Sequence, residues 1–411
     1  MSSTYSTTTT TVASTIQTLW KKKLLRDIQS ELILPRFGDN ESEPVGSGNT
    51  RRFNRFLWPA KVTTAKTSGT LLKGDASAIK ALTTNYIDFT MEIWESGFGF
   101  DEDVNIQSFL TNDKKRQVVV QQYVRSMEYQ LAKKLAQNCM WWNIGKAAAY
   151  QILGVPDTVN AANTSFSDTS QTTRADDYWN DSMCCFYNPA GGAYGEAVLV
   201  TDYDDAGGAD GNRMFSVAPT NTMTTSSQFI ISSKGDISSS NKMTTSGMLD
   251  VAAIHEHCRT PRFDGNVLRG IMDSTQHRDL HDDTNWKAYV QYDRSNVVSR
   301  YQPLQWFDQQ WLIGDDCVYR SDTDNTENEA GDVHSALIFG REAYGVHGYG
   351  VGQDAFHVEW YVVDKADSYN ITLSQTYLAW KTHFASGVKN ATFITALNTG
   401  GAGLGFAKLG A

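Results

Sequence analysis

Long apolar runs are missing from this chain. No stretch approaches the ~18 consecutive apolar residues that a helix needs to cross a bilayer. The N-terminal MSSTYSTTTTTVAS has neither the basic start nor the apolar middle of a secretory signal, so the expected place of synthesis is the cytoplasm. Cysteine is scarce and odd in number: Cys139, Cys184, Cys185, Cys258 and Cys317, with no CxxC pair. That argues against a disulfide framework and a zinc ribbon and predicts reduced, mostly buried thiols. Basic charge is also short. With a formal net charge of -10, a nucleic-acid-binding surface is disfavoured as the main function, because phosphate neutralisation needs clustered Lys and Arg. GxSxG and phosphate-loop signatures are absent. Gly400, Gly401, Gly403 and Gly405 cluster without the strand-turn-helix context that a dinucleotide fingerprint requires.

The 411 residues, 40% of them hydrophobic, leave room for two or three domains and a sizeable core. One long helical pattern stands out, over residues 111–150. Val120, Val124, Met127, Leu131 and Leu135 recur at steps of three and four and share one face, while Arg125, Lys133 and Lys134 occupy the other. Thr111, Asn112 or Asp113 can cap the start, and no Gly or Pro interrupts before Gly145, which predicts roughly nine turns. The apolar stripe is expected to lie on a sheet closed by residues 388–397.

The flanks differ in kind. Residues 1–15 are a Ser/Thr tract too poor in apolar side chains to order alone. Residues 16–34 give a short amphipathic helix pattern with Lys21, Lys22, Lys23 and Arg26, and Pro35 is expected to end it. Strand-type patterns follow around Arg52 to Leu57 and Leu82 to Ile93, joined by a Gly/Ser/Thr-rich connector. A two-stranded excursion is marginal alone, so this hairpin is expected to lie on another molecule.

Residues 155–243 read as a small β insertion with strands at 197–200 and 228–231. Eleven acids against four bases put seven of the ten excess negative charges there, the pattern of a detachable, solvent-facing acidic cap. Within it, Asp202, Asp204, Asp205 and Asp210 have the oxygen-ligand density of a calcium loop. Against the EF-hand template, however, the fifth position is Ala206 and the twelfth Arg213 rather than Glu. A solvated acidic turn is the expectation.

From Thr244 onward the pattern is α/β again. TTSGMLDVAAIHEHCR reads as a helix capped at Thr245 or Ser246 with Leu249, Ala252 and Ala253 on its apolar face, and a buried strand then leads into a helix start at Ser274. His255, His257 and Cys258 form the most metal-like cluster, and His277 with His281 has the i, i+4 spacing that binds zinc from one helix face. Zinc needs three or four converging ligands and no HExxH is present, so polar histidines at helix ends are the expectation. No catalytic residue, cofactor or metal is assigned.

Three stretches then carry a family resemblance: LLKGDASAIKALTTNYIDFTMEIWESGFGF at 71–100, GIMDSTQHRDLHDDTNW at 270–286, with Asp279, Leu280 and Trp286, and SALIFGREAYGV at 335–346, with Phe339, Gly340, Ala343, Tyr344 and Gly345. Gln375, Trp380 and Lys381 in the closing segment agree. In this order they resemble the major capsid proteins of tailed bacteriophages with the fold named after phage Hong Kong ninety-seven, and within those the family named for coliphage N-four. The resemblance covers about residues 16–154 and 244–400 and leaves the insertion without a counterpart.

The resemblance implies an α+β fold with an N-terminal arm (1–50), an extended E-loop β-hairpin (51–98) and a P-domain spine helix (99–154). After the acidic insertion on the outer surface (155–243) come an A-domain (244–345) and closing P-domain strands (346–411). It implies a structural, non-enzymatic subunit of an icosahedral shell around double-stranded DNA. Expected partners are other copies of the chain in hexamers and pentamers, a scaffolding protein, a portal protein, a decoration protein and packaged DNA in non-specific proximity, with no membrane. The expected location is the virion capsid, assembled in the host cytoplasm. Lys66, Lys73, Asn390 and Asn398 are the residue types that some shells of this fold crosslink, although no crosslink is expected here. Two other classes stay open: a cytoplasmic metal-dependent enzyme using the His255/His257/Cys258 and His277/His281 clusters, and a β-module binding host glycan through residues 155–243.

Overall fold

A computed structural model describes residues 32–43, 50–56, 84–101, 112–144, 151–188, 191–205, 213–233, 237, 240–292, 304–306, 308–321, 333–349, 357–363 and 375–400. The expectations for the Ser/Thr tract, for residues 16–31 and for the hairpin tip at 57–83 lie outside these. The chain is mixed α+β and divides into two compact units: Met1–Asn49, Thr90–Leu131 and Val346–Ser386 form the first, and Thr50–Phe89, Ala132–Gly345 and Gly387–Ala411 the second.

The first unit is built on a five-stranded sheet. Asp39–Glu43, Tyr344–Tyr349, Gln375–Val388 and His357–Val363 lie in that order, and Glu92–Asp101 pairs along 375–388. This last ladder is antiparallel and ten residues long, from Gln375↔Asp101 to Phe384↔Glu92. The long helix, Asn112–Gln137, buries Val119, Val120, Tyr123, Met127 and Leu131 within this unit. Tyr123 takes the place expected of Val124, which is half-buried. Its ring meets Trp380 edge-on with centroids 4.8 Å apart, the T-shaped arrangement favoured by opposed quadrupoles. Gln122 links the same strands, donating to Ser96 Oγ at 3.2 Å and accepting from Trp380 Nε1 at 3.4 Å. These contacts reach the strand 375–388, not the segment 388–397 expected to close the sheet.

The helix is also shorter than its pattern. It ends at Gln137 because Asn138 donates from its side chain to Lys134 O at 2.7 Å and from its backbone to Leu135 O at 3.2 Å, which satisfies carbonyls that a further turn would have used. The next residues, Met140–Asn143, form a fully buried strand instead. A second correction concerns Pro35. It opens a helical turn, Leu34–Phe37, where a fixed φ and a missing N–H cost nothing. The buried Glu128 carboxylate caps that turn by accepting from the backbone N–H groups of Ile33 and Leu34.

The second unit holds a seven-stranded sheet. Leu304–Trp306, Gln309–Ile313, Leu268–Met272, Val333–Phe339, Ile394–Gly400 and Met140–Asn143 lie in that order, and Tyr319–Ser321 pairs with 333–339. Its core gathers Trp142, Met248, Val251, Leu268, Leu280, Trp286, Trp311 and Leu397. Gly270 is required there, because a Cβ would come within 2.4 Å of the Trp311 ring. Helix Thr245–His257 begins from Thr244, whose hydroxyl accepts from Gly247 N at 3.2 Å. It turns Met248, Val251 and His255 inward and leaves Leu249 exposed. The apolar face is therefore one residue away from the expected one.

Residues 151–232 of this unit form two four-stranded sheets. One runs Ala197–Leu199, Met183–Phe186, Phe229–Ser232 and Gln151–Gly154; the other runs Asp202–Asp204, Arg213–Ser216, Ser165–Asp168 and Thr158–Val159. Phe166, Trp179, Phe186, Phe215 and Phe229 fill the space between, with Phe166 and Phe229 ring centroids 4.7 Å apart. The insertion thus has its own aromatic core. It is not a detachable cap, however: Ser232 Oγ donates to Trp141 O at 2.9 Å, and Ala391 N donates to Gly195 O at 2.9 Å.

Candidate functional site

The hairpin base is where the structure departs most from the expectation. Thr50–Phe56 pairs with Thr84–Thr90, and both strands find partners within the second unit of the same chain. Phe53 packs against Phe89 in a tilted pair with ring centroids 4.9 Å apart and carries the Lys389 ammonium over its ring at 4.4 Å. Asn85 donates to Gly192 O, and Asn221 donates to Tyr86 O at 3.3 Å. Phe89 also fills the space beside Gly387, where a Cβ would approach its ring to 2.5 Å. The hairpin base does not need another molecule for packing.

A buried ion pair completes this contact. Arg55 Nη2 lies 3.4 Å from Glu196 Oε1, and both side chains are 7% exposed. Glu196 is well satisfied, since it also accepts from Thr220 N at 2.6 Å, from Asn221 N at 3.0 Å and from the Asn221 side chain. Arg55 is not. Its Nε and Nη1 find no hydrogen-bond partner among the described residues, and burial lowers its pKa against the pull of Glu196. On the solvent side of the hairpin, Arg52 bridges Asp88 at 2.8 Å and lies over the Tyr86 ring at 4.0 Å.

The acidic turn does not assemble a calcium site. Asp202 is exposed and Asp204 half-buried, on a strand whose central Tyr203 points inward. Asp205 is already engaged by Arg213 at 3.4 Å, Tyr203 Oη at 3.2 Å and Arg174 N at 3.4 Å. Asp210 lies outside the described residues. Among those described, no group of three or more His, Cys, Asp or Glu side chains is placed to hold a metal ion.

The histidines separate into different fates. His255 is a core residue, with Nδ1 2.9 Å from Thr260 Oγ1 and Nε2 3.2 Å from Thr395 Oγ1. Burial, reinforced by Arg262, lowers its pKa to about 3 and holds it neutral. His257 is exposed with its ring 6.0 Å from Tyr187. Cys258 is buried and its thiol is pushed up to about 12. These three do not converge. All five cysteines are buried and none is in a disulfide. His277 and His281 do come together, with Nε2 atoms 3.2 Å apart and rings nearly perpendicular. Burial, then the neighbouring His281, lowers the His277 pKa to about 4. Asn390 and Asn398 are both turned inward: Asn390 accepts from Thr392, while Asn398 bonds Asn143 at 3.0 Å and Ser335 at 2.7 Å.

One polar network was only partly visible in sequence. Asp273 is the N-cap of helix Ser274–Asp282, in a capping box with Gln276, and the spacing Asp-Ser-Thr-Gln is the signal that announces it. The same carboxylate accepts from His334 and lies 3.4 Å from Arg320. Gln276 reaches on to Thr399 Oγ1 at 2.9 Å and His334 O at 3.1 Å. Burial pushes the Asp273 carboxyl upward, but His334, the Gln276 amide and Arg320 together hold it below the usual carboxylate range. Nothing local announces its pairing with His334, or that of Arg55 with Glu196.

Comparison with solved structures places phage shells beside this chain. The capsid of Ralstonia phage GP4 is similar over 89% of this chain and 88% of its own, at 11% identity and a TM-score of 0.49. The cyanophage Pam1 capsid asymmetric unit is similar over 89% of each chain, at 10% identity and a TM-score of 0.46. The capsid of cyanophage P-SCSP1u is similar over 88% of this chain and 86% of its own, at 11% identity and a TM-score of 0.43. No family model and no curated protein matches in sequence. No helix among the described residues is long and apolar enough to cross a membrane.

Proposed function

We propose that this chain is the major capsid protein of a tailed bacteriophage, of the coliphage N-four type, and that it works through interfaces rather than catalysis. The observation that carries the reading is the construction around the long helix. A strand pair precedes it, Glu92–Asp101 runs beside the closing strand Gln375–Val388, and that strand brings Trp380 against Tyr123. The order of parts is the one on which the family resemblance rests.

In this reading residues 51–98 are the E-loop, 99–154 and 346–411 the P-domain, 244–345 the A-domain, and 155–243 an outer-surface insertion. The arm and the hairpin beyond its base reach neighbouring subunits, so their burial is gained only on assembly, and stability rises with oligomer state by mass action. Pentamers and hexamers of the chain close into a shell around double-stranded DNA. They form in the host cytoplasm with a scaffolding protein and a portal protein. An acidic insertion on the outside keeps repulsive charge away from the packaged polyanion.

Sedimentation of the full chain, alone and with its scaffolding protein, tests the proposal. Concentration-dependent rings and fast-sedimenting shells support it. A uniform small monomer under every condition contradicts it, and a chelator-sensitive catalytic activity would point to the enzyme reading instead.

A further inference from the structure

We propose that His277 and His281 form a chelating site for one divalent d-block metal ion at the solvent edge of helix Ser274–Asp282, with water completing the coordination. The inference rests on this helix alone and is independent of the shell reading.

Residues four apart stack on one helix face, and this helix is held in register at its start by the Asp273–Gln276 capping box. Leu280 is fully buried, His277 three residues before it is half-buried and His281 is exposed, so the pair lies at the edge between the packed and the solvent-facing sides of the helix. Their Nε2 atoms lie 3.2 Å apart. A tetrahedral ion with metal–nitrogen bonds of about 2.0–2.1 Å holds two ligand nitrogens about 3.3 Å apart, so the pair already spans the required bite. Chelation requires both rings as the Nδ1–H tautomer, so that both Nε2 lone pairs face the ion.

The helix carboxylates are engaged elsewhere, Asp279 with Arg278 at 3.1 Å and Asp282 with Lys287 at 3.4 Å. Two neutral imidazoles without a carboxylate suit Cu²⁺, Ni²⁺ or Zn²⁺ and exclude Mg²⁺ and Ca²⁺.

The test is calorimetric titration of the full chain with ZnCl₂, NiCl₂ and CuCl₂, with CaCl₂ as the control. One saturable equivalent of the transition metal is expected. It should be weakened about tenfold or more in His277→Ala and in His281→Ala, since each removes half of the chelate, and kept in His257→Ala, which removes an exposed histidine outside the pair. Copper bound to the wild type should show two equatorial nitrogens by electron paramagnetic resonance. Absence of saturable binding, a calcium equivalent of the same strength, unchanged binding in both pair variants, or loss in His257→Ala would each overturn the proposal.

Discussion

Two buried carboxylates in the second unit show how differently similar chemistry can be used. Asp273 meets His334 and Arg320 with every oxygen engaged, inside a capping box that also recruits Gln276 and Thr399. The Arg55–Glu196 pair is buried on both sides, but it is lopsided: the carboxylate has three further donors, while two polar atoms of the guanidinium find no partner among the described residues. A buried charge is stabilising only when its whole hydrogen-bonding capacity is met, because desolvation otherwise offsets the attraction. The first network fixes a helix start on the seven-stranded sheet. The second joins the hairpin base to the insertion by a contact whose energy is carried mainly from the carboxylate side.

Acid is the broadest way to break this comparison. His255 is held neutral with a pKa lowered to about 3, so the unfolded chain binds a proton that the folded chain refuses. Its contribution is complete above the unfolded value of about 6.5 and is lost as pH falls toward 3, since stability rises with pH wherever the unfolded state holds more protons. Asp273, held below its ordinary range, loses its contribution as pH falls further through its folded value. Urea unfolding between about pH 7 and pH 3 should show falling stability, with the upper part of the slope flattened in His255→Gln.

Next in size is Asp273→Ala, which removes the cap and strands His334 and Arg320. A cost of about 3–5 kcal/mol is expected in equilibrium unfolding. The lopsided pair should answer asymmetrically. Glu196→Ala leaves a buried guanidinium without its ion partner and should cost roughly 3 kcal/mol, whereas Arg55→Met leaves Glu196 its other donors and should cost about 1 kcal/mol or less. Equal losses from the two would show that the partners are evenly satisfied. The smallest effect belongs to Arg52→Ala. Its bridge to Asp88 is solvent-exposed, and the unfolding midpoint should not move measurably.

Sequence reveals what is local. The long helix was legible from its periodicity, the helix start at Ser274 from Asp273 and Gln276, and the closing strands from their β-branched and aromatic residues. The helix end was misplaced because Trp141 and Trp142 suit either state until the pairing with 394–400 decides it. Pro35 stops a helix in pattern and starts one in fact, because Glu128, 93 residues away in sequence, supplies the cap. The hairpin seemed to lack packing partners because Lys389, Gly192, Glu196 and Asn221 are far from it along the chain. The histidines carry the same lesson: His255 and His277 are alike in sequence, and only Thr260 and Thr395 on one side, or a second imidazole on the other, gives each its role.

The most direct measurement is negative-stain electron microscopy of the full chain, expressed alone and with the scaffolding protein proposed above. The account predicts closed icosahedral shells some tens of nanometres across, built of five-fold and six-fold clusters of one subunit. A field of separate small particles of uniform size, from protein that is folded and concentrated, would contradict it.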